Sequence, residues 1–313
     1  MRALTIDSFR SRAGTDSSGS DGSRSHRKRS LVVRLDNAGE VLLAGPAVRA
    51  VARQSHVTFL TAPDSAEAAA LLPGVADVLT WQAPWAGDEP PALDAADVSL
   101  LVRRMAAGCF DDALILTARH QSPLPTAMVL RLAGIAPIAA MSSDSPGSLL
   151  DLWHNPDPDV AEPGRSLSLA RAAGYDLAPG DVGRLAVRRP LPATDWLTGH
   201  GPYVVAHPGS AGAARWRAER WVSAVSVLVR HGHRVVLTGK AGERCRTVAA
   251  GARAAGAAPG TVVDLAGRID LLQLAAVVDR AQAVLAGNPA VRHLASAVRT
   301  PVAQHSVAVA DRT

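Results

Sequence analysis

Aromatic residues are scarce, at 4% of the 313 residues, with 3 Phe and 2 Tyr. Any core must therefore be built mostly from Ala, Val and Leu. Lysine is nearly absent: Lys28 and Lys240 are the two, and arginine carries the remaining positive charge. With so much Ala, Gly and Pro, that bias reads as GC-rich coding rather than as function. Cysteine is limited to Cys109 and Cys245, far apart and with no metal-binding or redox spacing. The expectation is two buried, reduced thiols, no metal site and no cofactor. No run of about 18 apolar residues escapes a charge, so no transmembrane helix is expected. The first 30 residues lack an apolar segment followed by a small-residue cleavage site, so a cytoplasmic protein without a secretory signal is expected. Neither GxxxxGK[ST] nor GxGxxG occurs, which disfavours a kinase, an NTPase or a dinucleotide-dependent dehydrogenase.

What is present is ample apolar material. Hydrophobic residues make up 48% and charged ones 19%, enough to bury sizeable cores in about two domains and to exclude wholesale disorder. The net charge of +5 is concentrated at one end, because residues 1–30 hold seven basic but three acidic side chains. The rest is close to neutral and shows no basic face for nucleic acid. Residues 1–30, rich in Ser, Gly, Arg and Asp, read as a disordered tail. Its Ser25-His26-Arg27-Lys28-Arg29 could touch an anionic membrane surface, at the inner face of the membrane; a solvated arm is the plainer reading.

Beyond the tail, short apolar runs alternate with helical spacing. Strands are predicted at 31–35, 56–60, 77–81, 112–117 and 137–141, and helices at 41–54, 65–72, 93–107 and 125–133. Residues 142–201, rich in Pro, Gly and Asp, break the rhythm around one helix at 164–173 and read as a connection, with hinges near Pro190-Leu191-Pro192 and Gly199-His200-Gly201-Pro202. Strands resume at 203–206, 234–238, 261–265, 283–286 and 301–304. Helices lie between them at 217–231, 242–255, 270–280 and 290–298. This alternation implies two α/β halves with parallel sheets, divided as 31–190 and 191–313. Ligands in such sheets sit at the carboxyl ends of the strands, and with two halves the natural site is the cleft between them.

Three strand ends of the second half carry Gly-rich turns, at His207–Gly212, Thr238–Glu243 and Gly287–Ala290. The helix starts that follow offer free N–H groups and a positive dipole end, suited to phosphate. In the first half, Asp36-Asn37-Ala38-Gly39-Glu40 stands before a helix. A carboxylate there is either a dipole-favoured cap or a general base. Trp81, Trp85, Trp153 and Trp196 read as packing or linker anchors, Trp221 as core and Trp216 as a residue that could line a ligand cleft. Of the histidines, His207 and His293 are expected near the site and His231 and His233 at the surface.

The run Leu31-Val32-Val33-Arg34-Leu35-Asp36-Asn37-Ala38-Gly39-Glu40-Val41-Leu42-Leu43, with Pro46-Ala47-Val48-Arg49 after it, resembles glycosyltransferase family 9, the heptosyltransferases. So do His207-Pro208-Gly209-Ser210 with Arg215-Trp216, Gly232–Gly239, Val263–Arg268, and Gly287-Asn288 with His293-Leu294-Ala295. The resemblance runs in order from about 31 to 305. It implies the GT-B architecture: two Rossmann-like domains facing a central cleft, the first for the acceptor and the second for the nucleotide sugar. It also implies an inverting displacement that moves a heptose-like sugar from ADP-heptose or a similar nucleotide diphosphate sugar to a glycan or glycolipid, in cell envelope glycan biosynthesis.

Carried over residue by residue, Glu40 is the catalytic base, with Asn37 and Gly39 beside it on the acceptor side. Ser210, Arg215, Lys240, Asp264, Asn288, Arg292 and His293 are the donor-binding candidates. Three departures stand out. Glu40 replaces the family's Asp, Ala214 replaces its Lys, and Gly287-Asn288-Pro289-Ala290-Val291-Arg292-His293 replaces its Gly-Asn-Asp-Thr-Gly-Pro loop. They leave an alternative, a family member without turnover that serves as a binding or scaffold protein.

Overall fold

The computed structural model describes residues 27–87, 89–157, 159–209, 216–240 and 242–304. The chain divides into two compact units, one ending at Ala186 and the other starting at Val187.

The first unit runs β1 (Lys28–Val33), α1 (Ala38–Leu43), α2 (Gly45–Ala52), β2 (Ser55–Thr61), α3 (Ala66–Leu71), β3 (Val75–Thr80), α4 (Ala95–Ala107), β4 (Asp112–Ile115), α5 (Leu124–Leu132), β5 (Ile138–Met141), β6 (Leu152–His154) and α6 (Glu162–Ala172). The six strands form one sheet in the order β3-β2-β1-β4-β5-β6, with every pairing parallel. Parallel strands with helices on both faces are buried twice over, so the central strand reads as a continuous apolar run: Leu31, Val32 and Val33 are at most 1% exposed. The strand order reverses between β1 and β4, and the crevice outside their carboxyl ends is where such sheets hold ligands.

The second unit repeats the plan with α7 (Asp195–Thr198), β7 (Tyr203–His207), α8 (Ala218–Arg230), β8 (Arg234–Leu237), α9 (Glu243–Ala254), β9 (Val262–Asp264), α10 (Leu271–Asp279), β10 (Ala283–Ala286), α11 (Pro289–Val298) and β11 (Val302–Gln304). Its parallel sheet has the order β11-β10-β7-β8-β9, reversing between β7 and β10. Trp221 is fully buried in the core it shares with Val225, Val235, Leu237 and Val248.

Several expectations need correction. The first strand starts at Lys28, inside the segment expected to be a tail; residues 1–26 lie outside the described residues. Lys28 pairs with Asp112 at 2.8 Å, and Arg29 donates its Nε to Gly108 O, so neither is a solvated basic residue. The helix expected over 41–54 is two helices. Pro46 lacks an N–H to continue the first, and its fixed φ suits the start of the second.

Residues 142–186 are not a connector. They supply β6 and α6, and Arg49 clamps them with two hydrogen bonds to Asp181, at 2.7 and 2.9 Å. Cys245 is buried but Cys109 is exposed. Cys109 sits at positive φ of 47° between Gly108 and Phe110, and the Phe110 ring lies so close that a Cβ on Gly108 would meet it at 2.3 Å; the ring takes the interior side and leaves the thiol outward. Trp153 and Trp196, expected as packing or linker anchors, are 48% and 72% exposed and so not packed in a core. Each satisfies its indole N–H on a neighbouring carbonyl instead, Ser142 O and Ala193 O.

Candidate active site

The carboxyl end of β1 carries charge into the interior. Arg34 has no exposed side-chain surface, and its backbone N–H still bonds Leu60 O at 3.0 Å, so β2 fixes its direction. The guanidinium divides among three carboxylates. Nε donates to Asp36 Oδ2 at 3.0 Å, Nη2 to Glu40 Oε2 at 2.7 Å and Nη1 to Glu162 Oε1 at 2.8 Å. Glu162 passes its other oxygen to Arg165 Nη1 at 2.7 Å.

The turn that presents Glu40 is shaped by Asn37. Its Oδ1 accepts from the N–H groups of Gly39 and Glu40, at 3.0 and 3.2 Å, and so caps α1. The cap is thus an amide, and Glu40 is the third residue of the helix rather than part of a loop. Gly39 is buried beneath it.

Glu40 is the accessible member of the cluster, with 31% of its side chain exposed. Its pKa lies above the ordinary glutamate value. Burial is the main cause, and the charges of Asp36 and Glu162 add to it while Arg34 opposes. A carboxylate so placed has the basicity wanted for taking a proton from a hydroxyl.

Two cavities adjoin at this edge of the sheet, sharing Thr117 and Gln121. One of about 20 Å³, room for little more than a water, lies at the β1–β4 reversal, walled by Leu35, Trp85 and Thr126. The other, of about 150 Å³, lies beyond β4, β5 and β6, walled by Arg119, Ser142, Asn155 and Arg165. Arg165 therefore joins the larger cavity to the carboxylate cluster. Trp85 is held over its cavity by an N–H bond to Thr126 Oγ1 at 3.0 Å and an edge-on contact with Trp81.

At the carboxyl edge of the second unit, Ser210 and Arg215 lie outside the described residues. The other donor-side candidates occupy three separate strand ends, after β8, β9 and β10. Lys240 is exposed just after β8. Asp264 closes β9, and its Oδ1 accepts the Ala266 N–H at 3.0 Å, a turn bond made within its own loop. Asn288 caps α11 through Ala290 N–H at 2.8 Å, with Pro289 at the first helical position where its missing N–H costs nothing. Arg292 and His293 follow in that helix, both half-buried; burial and the Arg292 charge lower the His293 pKa.

His207, at the end of β7, lies level with Ala286 of β10. Its Nδ1 is 2.9 Å from Thr238 Oγ1, and burial pushes its pKa down to about 4, so the ring is neutral near pH 7. An open groove lies at the start of α8, lined by Trp216, Arg217, Ala218, Glu219 and Arg244. Among the described residues no group of His, Cys, Asp and Glu is arranged to hold a metal ion, and no helix is long and apolar enough to cross a membrane.

Reasoning from sequence named Glu40, Asn37 and Gly39 but not Arg34 as their partner, nor Glu162 and Arg165. The signal for Arg34 was there: a lone charge closing an apolar strand must find counter-charges when the strand is buried. For Glu162 there was none, since it lies 128 residues away.

Two parallel-sheet α/β units, each with the strand order of a Rossmann-like domain, are the two units of the GT-B architecture. The model of glycosyltransferase family 9 (heptosyltransferase) matches residues 100–304, and the chain belongs to that family. Comparison with curated protein sequences gives no match. Among solved structures, the chain is similar to a family 9 glycosyl transferase from Veillonella parvula (15% identity, TM-score 0.70, 90% of this chain and 82% of that one). It is also similar to E. coli ADP-heptose lps heptosyltransferase II (17%, 0.66, 88% and 83%) and to E. coli heptosyltransferase WaaC with ADP-2-deoxy-2-fluoro heptose (18%, 0.67, 88% and 87%).

Proposed function

We propose that this glycosyltransferase moves a heptose-like sugar, with inversion, from a nucleotide diphosphate sugar, ADP-heptose in the first instance, to a hydroxyl of a glycan or glycolipid. The observation that carries the reading is Glu40. A half-exposed carboxylate of raised pKa stands at the first turn of a helix, at the point where the strand order reverses. The family's catalytic carboxylate occupies the corresponding place in its sequence pattern.

In this reading the acceptor lies over the larger cavity, at the carboxyl ends of β4, β5 and β6. Hydroxyl and amide groups of Thr117, Gln121, Ser142 and Asn155 suit a sugar. Glu40 takes the proton from the attacking hydroxyl as the C–O bond to the anomeric carbon forms. The bond to the diphosphate breaks on the opposite face, and the growing negative charge falls to donor-side groups of the second unit. There Lys240 and Arg292 supply cations, and the starts of α8 and α11 supply N–H groups. Asp264 holds a ribose hydroxyl with the oxygen its turn bond leaves over. Ser210 and Arg215 complete the donor set. The E. coli heptosyltransferase structures named with ADP and with ADP-2-deoxy-2-fluoro heptose support trying adenine nucleotides first.

The test is calorimetric titration of the full chain with ADP, UDP and GDP, followed by turnover of the matching sugar nucleotide. Selective binding of one nucleotide, weakened by Asp264→Ala, is expected. Absence of binding by all three at millimolar concentration would sink the proposal.

A further inference from the structure

The carboxylate cluster contains more than a base. Arg34 touches neither cavity, yet it is wholly buried and commits each arm of its guanidinium to a different acid. A buried cation with one surface-facing partner is costly to maintain, because its desolvation is offset only where geometry is good and the remaining donors are satisfied. Asp36 and Glu162 meet that condition: they are 5% and 16% exposed in their side chains and occupy Nε and Nη1. The third arm goes to Oε2 of Glu40 alone. Among the described residues no hydrogen bond reaches Glu40 Oε1. One oxygen is anchored from behind and the other is left open toward solvent.

We infer that Arg34, braced by Glu162, is the positioning residue that orients Glu40 and sets which of its oxygens receives the proton. The inference rests on the reading of Glu40 as the base. It assigns a division of labour. Arg34 fixes the carboxylate plane and stabilises its charged form, while Glu162 shares the same guanidinium and its like charge opposes that stabilisation. Arg165 completes the brace by neutralising the far oxygen of Glu162. A lysine at 34 would keep the charge but not the three-way fork, since an ammonium is a point charge without the planar spread of donors.

The experiment follows the carboxyl carbons themselves. The chain has six glutamates (40, 67, 89, 162, 219 and 243), so a sample with 13C in the glutamate side-chain carboxyls gives a spectrum simple enough to assign with Glu40→Gln. The full chain is titrated as wild type, Arg34→Lys and Glu162→Gln, with a thermal melt of each. Removing the fork should move the Glu40 midpoint up. Removing the Glu162 charge should move it down. The other exposed glutamates should stay where they were.

A Glu40 midpoint unmoved in both variants, in chains that still melt cooperatively, overturns the assignment. If Arg34→Lys does not fold, the direction seen in Glu162→Gln decides alone: a downward shift supports the brace, and no shift or an upward one removes it. The titration needs neither donor nor acceptor, so it can fail while nucleotide binding succeeds, and the reverse.

Discussion

The two carboxyl edges of this chain are built on opposite plans. In the first unit, polar groups bond one another across long stretches of sequence: Arg34 to Glu162 and Arg119 to the Val160 carbonyl. In the second, apart from His207 reaching Thr238 on the next strand, the candidate donor-side groups bond their own turn. Asn288 reaches two residues on, Asp264 reaches two residues on, and Asp270 forms a reciprocal pair with Gln273 at the start of α10.

The first plan fixes a charge in a set direction and makes it dependent on remote segments. The second ties its side chains within single loops and leaves the exposed Lys240 at the rim. The contrast suits the proposed roles, because a base must be aimed whereas a diphosphate can be met by any converging set of donors.

Four measurements would break or sharpen that contrast. The largest effect is expected from Glu40→Gln. Removing a general base costs roughly 10²–10⁴ in kcat, and nucleotide affinity measured by calorimetry should be unchanged. Comparable loss of nucleotide affinity would place Glu40 on the donor side and dissolve the division. Next comes Arg34→Met, which leaves the buried Asp36 without its cation and Glu162 with Arg165 alone. Breaking a buried pair in this way costs about 3–5 kcal/mol, readable as a lower urea midpoint. A loss under about 1 kcal/mol, the size of a surface pair, would show the network to be ornamental.

The third is pH dependence in the second unit. His207 is held neutral with its pKa pushed down to about 4 from 6.5, so the unfolded chain binds the extra proton between those values. Stability from this group is present above pH 6.5 and lost as pH falls toward 4, by up to about 3 kcal/mol. His207→Gln should flatten that part of the stability–pH curve. An unchanged slope would show that the imidazole is not the group titrating.

The smallest effect is at the caps. Asn288→Ala should cost about 1 kcal/mol, seen by denaturation, and the same size is expected for the turn bond of Asp264→Ala. If Asp264→Ala also weakens nucleotide binding by tenfold or more, the carboxylate has a second task beyond its turn. Equal nucleotide affinity in wild type and variant would reduce it to a turn residue.

The rate profile sharpens the first of these tests. Because burial raises the Glu40 pKa, the acid limb of a kcat–pH curve should lie above the range of an ordinary glutamate, with activity rising as pH rises through it. An acid limb at or below that range would argue that Arg34 outweighs burial.

The exposed Cys109 and the misjudged 142–186 stretch teach the same lesson from the fold. Periodicity located nearly every strand, and missed β6 because Leu152-Trp153-His154 is three residues long and alternates too briefly to register. Pro and Gly were read as linker signals. Within 176–184 the backbone is instead tied down by Arg49 of α2 and Arg53 just after it, which no local pattern shows.

The sequence by itself determined the alternation of strands and helices, the two α/β halves and the family to which the chain belongs. Each is written in short-range spacing or in ordered motifs. Only the tertiary structure decided that Arg34 is a shared anchor, that Glu162 and Arg165 stand behind the base, and that His207 is neutral. The reason is physical: propensity, capping and periodicity act over a few residues, whereas the field at a buried charge is set by whatever groups packing brings within a few ångströms, however distant in the chain.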